Sequence, residues 1–234
     1  MVDNKHVMAG DEFIAPACER DIEVLFEDQD LLVIDKPSGL LSLSGKNPLN
    51  KDSVHFRLVQ QYSTALMTHR LDFGTSGLML IALNRKANAH ITKQFQSREV
   101  LKRYTAVLYG HMSRNHGVVD LPIARGHFPK QIICHSTGKP SQSYYKVVDR
   151  FESEDGGCPL SKVIFTPKTG RTHQLRVHSR EIGHPIIGCD LYNIVSGEIN
   201  TTHLADRLCL HAGYLSFVHP VSGETMKFDS ICEF

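Results

Sequence analysis

Asp72 stands in the run His69-Arg70-Leu71-Asp72-Phe73-Gly74-Thr75-Ser76-Gly77-Leu78, between a guanidinium and a Gly/Thr/Ser-rich turn that leads into an apolar stretch. A carboxylate so placed can act as nucleophile or base at a cleft. The adjacent Arg70 can engage a phosphate, or it can make a structural salt bridge. An aspartate beside glycine and threonine can also cap a turn through its own side-chain oxygen. A second cluster is Gly170-Arg171-Thr172-His173-Gln174-Leu175-Arg176-Val177-His178. There Arg171 and His173 follow a glycine at a helix entrance, where they can hold a phosphate together with free helix-end amides. Arg176 reads either as a surface arginine or as the cation that keeps a nearby carboxylate charged. Tyr104 lies on an alternating stretch and reads as core packing or as a stacking face. Lys36, just before Pro37, is a phosphate contact or a strand-end surface charge.

The charge pattern gives these cations a setting. The formal net charge is +1 over 234 residues, yet residues 1–35 hold ten acids against Lys5 and Arg20. The rest of the chain is therefore strongly basic, and residues 157–180 carry Lys162, Lys168, Arg171, Arg176 and Arg180 with no acid. Such a field attracts polyanions, because phosphates release counterions when neutralised. A solvated basic face would carry the same charges. Six cysteines without a Cys-x-x-Cys pair, in a chain lacking an apolar leader core, read as reduced thiols, and cytoplasmic residence is expected. Fourteen histidines form neither a His-Glu-x-x-His nor a Cys/His ligand box, so no metal is expected. No apolar run reaches membrane-spanning length.

The elements that must position these residues follow from periodicity. Apolar runs at 22–27 and 31–35 around Asp28-Gln29-Asp30 predict a hairpin, broken by Pro37-Ser38-Gly39. Residues 42–51 read as a mobile loop and 53–62 as a short helix. Residues 78–83 are apolar throughout, as in a buried strand. Asn84 can cap a helix over 86–98, whose Ala87, Ile91 and Phe95 are four apart. Strands are predicted at 102–109, 142–151, 161–166, 208–211, 214–218 and 225–228, and a helix at 172–182. Residues 152–157 read as a loop rather than a boundary. Strands in runs with few helices between them predict an α+β fold: a mixed, mainly antiparallel sheet with flanking helices and a central cleft. Residues 1–21 are expected to be a flexible lead-in and 22–234 a single catalytic domain, with no appended basic module before residue 22.

Taken in order, several segments resemble the signatures of the RluA family of RNA pseudouridine synthases. They are Asp35-Lys36-Pro37-Ser38-Gly39-Leu40, the His69–Leu78 run, Lys102-Arg103-Tyr104-Thr105-Ala106, the 170–178 cluster and Leu210-His211-Ala212. Residues 183–192 are a near variant of a further element, with Tyr192 two positions after Asp190. The resemblance spans about residues 22–228 and is greatest to the RluA subgroup. It implies that Asp72 is the catalytic aspartate, that Tyr104 stacks on the target base and helps deprotonate C5, and that Arg176 pairs with Asp72. It places Leu175 against the base, Arg70 in the gap left by a flipped uridine, and Arg171, His173 and Lys36 on the RNA. The implied partner is a structured RNA, 23S-type ribosomal or transfer RNA or both. Neither a cofactor nor an obligate protein partner is expected, and the chain is expected to be a monomer.

The chemistry suits a lone carboxylate. Uridine becomes pseudouridine when N1–C1′ breaks, the base turns and C5 joins C1′, with no change of oxidation state. Attack at C6, attack at C1′ and proton removal from the sugar are all open to Asp72, and the sequence does not choose among them. A hydrolase built on Ser76, a histidine and Asp72 lacks a Gly-x-Ser-x-Gly elbow. A phosphate-binding Gly-x-x-x-x-Gly-Lys-Ser/Thr loop is absent. A non-catalytic RNA binder would not need Asp72, Tyr104 and Arg176 together. Loops 42–51, 125–139 and 193–206 are expected to carry substrate choice.

Overall fold

Leu31–Ile34 and Leu78–Ala82 are apolar at every position, which demands cover on both faces. The computed structural model, which describes residues 13–154, 157–195 and 199–234, places both stretches at the heart of a sheet. Strands β1 (Glu23–Glu27) and β2 (Leu31–Lys36) form the expected hairpin, closed by Asp28 Oδ1 accepting from the Asp30 and Leu31 amides. Helix α1 (Val54–Gln61) begins where Ser53 Oγ accepts the Phe56 N–H at 3.1 Å. Strands β3 (Leu66–Met67) and β4 (Ser76–Ala82) flank the Asp72 loop. Asn84 caps α2 (Arg85–Ser97) through the Ala87 amide, as its residue type predicts. There follow β5 (Leu101–Tyr109), β6 (His116–Asp120), the hairpin of β7 (Ile123–Arg125) and β8 (Gln131–Ile133), β9 (Gln142–Glu152) and β10 (Pro159–Pro167). Helix α3 (Gln174–Glu181), the short pair β11 (Ile194–Val195) and β12 (Ile199–Asn200), β13 (Leu210–Val218) and β14 (Thr225–Asp229) complete the chain.

The main sheet runs β1-β2-β4-β13-β5-β10-β9-β6, with β3 beside β4 and β14 beside β13. Among the described strands of this sheet only β13 and β4 pair in parallel, through His211↔Ser76 and Ala212↔Gly77. The sheet is thus mixed and mainly antiparallel. Gly77 sits at that parallel contact with φ +111°, and a Cβ there would lie 2.5 Å from the Ala212 carbonyl oxygen. Only glycine lets the two strands meet beside the Asp72 loop. Alternation on β2 and β4 divides the core. Leu32, Ile34, Met79 and Ile81 pack under Val54 and Leu58 of α1, while Leu31, Val33, Leu78 and Leu80 pack under Ala87 and Ile91 of α2. A third cluster joins Leu175 and Val177 of α3 to Ala106, Leu108, Val163 and Phe165. Full burial of each such leucine or isoleucine is worth roughly 1.5–3 kcal/mol.

Three expectations need correction. Residues 208–211 and 214–218 belong to one strand, bent by an irregularity between His211 and Tyr214. The 42–51 loop contains a 3-10 turn at Pro48–Asn50 and is closed by Gly45 N–H to the Asn50 carbonyl at 2.8 Å. Residues 1–12 of the lead-in lie outside the described residues. Residues 13–20 are irregular, yet they are fastened to the body rather than loose. Asn50 exchanges two hydrogen bonds with Phe13 and Ala15, Phe13 packs edge-on against Phe73, and Arg57 donates to the Cys18 and Arg20 carbonyls. On the far side, His219 Nε2 meets Asp28 Oδ2 at 2.9 Å and ties the β13–β14 turn to the first hairpin.

Candidate active site

The loop that carries Asp72 is held by its backbone carbonyls. Ser42 Oγ donates to the Leu71 carbonyl at 2.7 Å and accepts the Leu71 N–H at 3.1 Å. Lys36 Nζ and the Gly39 amide both donate to the Phe73 carbonyl, and Ser38 Oγ donates to that of Gly74. The Lys-Pro-Ser-Gly element is therefore the cradle of the Asp72 loop. The turn itself closes through Thr75 N–H to the Asp72 backbone carbonyl at 3.1 Å. The side chain does not close that bond, and it points to α3.

Arg176 reaches Asp72 from the buried face of α3. Its Nη1 lies 3.5 Å from Asp72 Oδ2, its Nη2 2.6 Å from Asp190 Oδ1, and its Nε donates to Cys189 Sγ at 3.4 Å. Burial works against the guanidinium's charge, but Cys189, Asp72 and Asp190 outweigh it and its pKa is raised. The tighter contact is to Asp190, so Arg176 stays anchored whatever happens at Asp72. His173 occupies a left-handed backbone conformation (φ 55°) at the start of α3, and its Nε2 lies 4.0 Å from Asp72 Oδ1. Gln174 pins the helix entrance: its Oε1 accepts from Thr169 Oγ1 and the Arg171 amide, and its Nε2 donates to Gln142 and Ser143.

A groove of about 1380 Å³ opens above this centre. Among the described residues its lining holds seven lysines and arginines (Arg70, Arg98, Lys102, Arg125, Lys130, Lys168 and Arg171), with Asp72 as the lone carboxylate. The β7–β8 hairpin, with Phe128 62% exposed at its tip, forms one wall. Arg70 is exposed and makes no hydrogen bond or ion pair with any described residue, so the structural salt bridge is not formed. Arg171 rests on the Pro140 carbonyl at 3.4 Å. At the groove floor a depression of about 110 Å³ is lined by Arg70, Asp72, Tyr104, Arg171, His173, Leu175 and Arg176 together. Burial, and then the charge of Asp72, raise the Tyr104 pKa, so its phenol stays neutral.

Lys36 is absent from this assembly. It is fully buried, and its ammonium donates to the Pro37, Leu40 and Phe73 carbonyls at 2.9, 2.7 and 3.2 Å. Three acceptors use its three protons, so the expected phosphate contact is replaced by a scaffold role. Ser76 meets a histidine, His211 Nδ1 at 2.9 Å, but both are buried, and the second ring nitrogen of His211 faces Ser230 rather than Asp72, which removes the hydrolase geometry. Reading the residues alone missed Asp190, Cys189, Tyr192 and Lys102. The first three lie more than a dozen positions beyond Arg176, and only the fold returns them to it.

The RNA pseudouridylate synthase family model matches residues 30–181. The chain is 41% identical over 213 residues to the dual-specificity RNA pseudouridine synthase RluA of Yersinia pestis, covering 90% of this chain and 99% of the relative. The chain belongs to the RNA pseudouridylate synthase family. The RluA protein of Salmonella typhi is 40% identical over 96% of this chain and 100% of its own length. The solved structure of human RNA Pseudouridylate Synthase Domain Containing 1 superposes with a TM-score of 0.74 at 30% identity, covering 92% and 85% of the two chains. The fold is thus a pseudouridine synthase fold, and the protein is an RNA pseudouridine synthase. Among the described residues no helix is long and apolar enough to cross a membrane.

The synthase signature also has a pH consequence. His69 Nε2 accepts the Leu80 N–H at 3.0 Å, its ring packs on Phe95, and burial aided by Lys102 lowers its pKa to about 3. Protonation breaks that hydrogen bond. Between pH 6.5 and about 3 the unfolded chain takes up a proton that the folded chain refuses. This contribution to stability is complete above pH 6.5 and is lost as pH falls, by up to about 1.4 kcal/mol per pH unit. Urea denaturation across that window is expected to show the slope, and His69→Gln is expected to flatten it.

Proposed function

We propose that this enzyme isomerises specific uridines in RNA stem-loops, of ribosomal RNA, transfer RNA or both, acting as a cytoplasmic monomer. The single observation that carries the reading is a carboxylate, the lone one among the described residues, at the floor of a groove where seven of those residues are cations. Phosphates of a folded RNA spread over those cations. The target uridine flips out of its stack into the depression beneath them, at a loss of about a few kcal/mol of stacking. Asp72 is the nucleophile or base, with the Arg176 guanidinium 3.5 Å from its carboxylate. Tyr104 and Leu175 take the faces of the uracil, and the neutral phenol favours stacking over proton abstraction in the free enzyme. Arg171 and His173 border the phosphate path at the entrance of α3. Residues 22–234 act as one catalytic unit.

Arg70 fills the space that the uridine leaves, through its planar guanidinium. Arg70→Ala is expected to lower kcat/KM on a folded stem-loop by about ten-fold or more. Its melting temperature is expected to stay at the wild-type value, since no described residue pairs with that side chain. Tritium release and thermal denaturation check the two halves. The whole reading is tested by mapping pseudouridines in RNA from cells lacking the protein. A uridine that loses its modification and regains it with the purified enzyme identifies the substrate, and an unchanged map in every RNA contradicts the proposal.

A further inference from the structure

Among the described residues Arg176 and His173 lie within 4.0 Å of the Asp72 carboxylate, and a third residue touches both of them. Tyr192 is 3% exposed. Its ring lies under the Arg176 guanidinium, 5.2 Å from centroid to Cζ, and its ring edge meets the His173 imidazole. Its hydroxyl sits 2.8 Å from His173 Nδ1 and 2.7 Å from the Gln131 backbone nitrogen on β8.

The direction of these hydrogen bonds follows from the donors. An amide N–H can only donate, so Gln131 gives its proton to the Tyr192 oxygen. The phenol must then place its own proton elsewhere. Among the described residues His173 Nδ1 is the acceptor within reach. A phenol that gives its proton to Nδ1 leaves that nitrogen unprotonated. A neutral imidazole carries its remaining proton on the other nitrogen, Nε2, the one that lies 4.0 Å from Asp72 Oδ1. Burial lowers the His173 pKa, against the pull of Asp72, and favours this neutral form at physiological pH.

Resting on the pseudouridine synthase reading of this site, we infer that Tyr192 is a positioning residue which orients both partners of Asp72. It fixes His173 as a neutral Nε2–H dipole aimed at the carboxylate, and it supports the plane of Arg176. Asp72 then meets one full cation and one dipole instead of two cations. A second full charge would hold the carboxylate more firmly and make it a weaker nucleophile and base. Through Gln131 the same hydroxyl joins the β7–β8 hairpin, one wall of the RNA groove, to the catalytic floor. His173 thus acts on Asp72 through this dipole while it borders the groove.

The tautomer is read directly from long-range proton–nitrogen correlations of the imidazole ring in 15N-labelled, RNA-free wild-type enzyme, with His173 assigned from the signals missing in His173→Asn. The proton is expected on Nε2 at neutral pH. A proton on Nδ1, or an imidazolium, overturns the inference. Tyr192→Phe keeps the ring under Arg176 and removes the hydroxyl. It is expected to shift the His173 pattern towards Nδ1–H and to lower kcat about ten-fold, with KM for RNA changed less than about two-fold. An unchanged kcat, or a rise in KM alone, contradicts the positioning role. A wild-type enzyme that releases no tritium from any RNA defeats the functional reading, while the ring tautomer is measured without RNA and stands or falls by itself.

Discussion

Asp72→Asn is expected to lower release of tritium from C5-labelled uridine in RNA by about 10⁴-fold or more, the scale on which loss of a reacting group is felt. The amide keeps the shape of the side chain and loses both its negative charge and its strength as nucleophile or base. The fold is expected to survive, because Arg176 retains Asp190 at 2.6 Å and the Asp72 turn closes through backbone atoms. RNA affinity is expected to stay within about three-fold of wild type, since the groove keeps all seven of its cations. Single-turnover tritium release and filter binding separate the two effects. An asparagine variant that turns over at the wild-type rate would remove the carboxylate from the chemistry.

Lys36→Met is expected to act on the fold first. Three carbonyls, of Pro37, Leu40 and Phe73, lose their shared donor in a site closed to water. Each stranded acceptor is costly, and the total is expected to reach about 3 kcal/mol or more. Burial already lowers the Lys36 pKa to about 7, so the ammonium sits in this cage against a desolvation penalty that its hydrogen bonds offset. Because Phe73 follows Asp72 directly, the variant is also expected to lose activity at temperatures where it remains folded. Denaturant titration checks the stability, and activity at low temperature checks the loop. A phosphate-binding lysine would behave in the opposite way, with normal stability and weakened RNA affinity.

The contrast between Asp72 and Lys36 marks what was legible in the chain. Asp72 is flanked by residues that announce a tight turn and a strand, which left a turn cap and a nucleophile both open, and the resemblance of the whole run to a family signature chose between them. Lys36 reads as a phosphate contact or a strand-end surface charge, both exposed roles, because lysine is almost never fully buried. Nothing in its neighbours signals that the 70–75 loop will fold over it. The α2 cap and the hairpin turn were readable from local pattern, since Asn84 and Asp28 act on backbone atoms two or three residues away. Strands β6, β7 and β8 were not, because Val118 and Ile132 are apolar yet occupy solvent-facing positions, so residue type does not follow the alternation of burial. The helix at 172–182 begins at Gln174, two residues late, since His173 takes a left-handed conformation that its type does not advertise. Asp190 and Tyr192 stood out only as a changed spacing. Their bond to Arg176 and His173 is a property of the tertiary fold.

The most direct test is tritium release by the wild-type enzyme from C5-tritiated total RNA of cells that lack it. Release is expected to reach a plateau of one tritium per susceptible uridine, with no metal or cofactor added, and to vanish with Asp72→Asn. If the wild-type protein liberates no tritium from any cellular RNA under conditions where it binds them, the carboxylate in its basic groove does not perform uridine isomerisation.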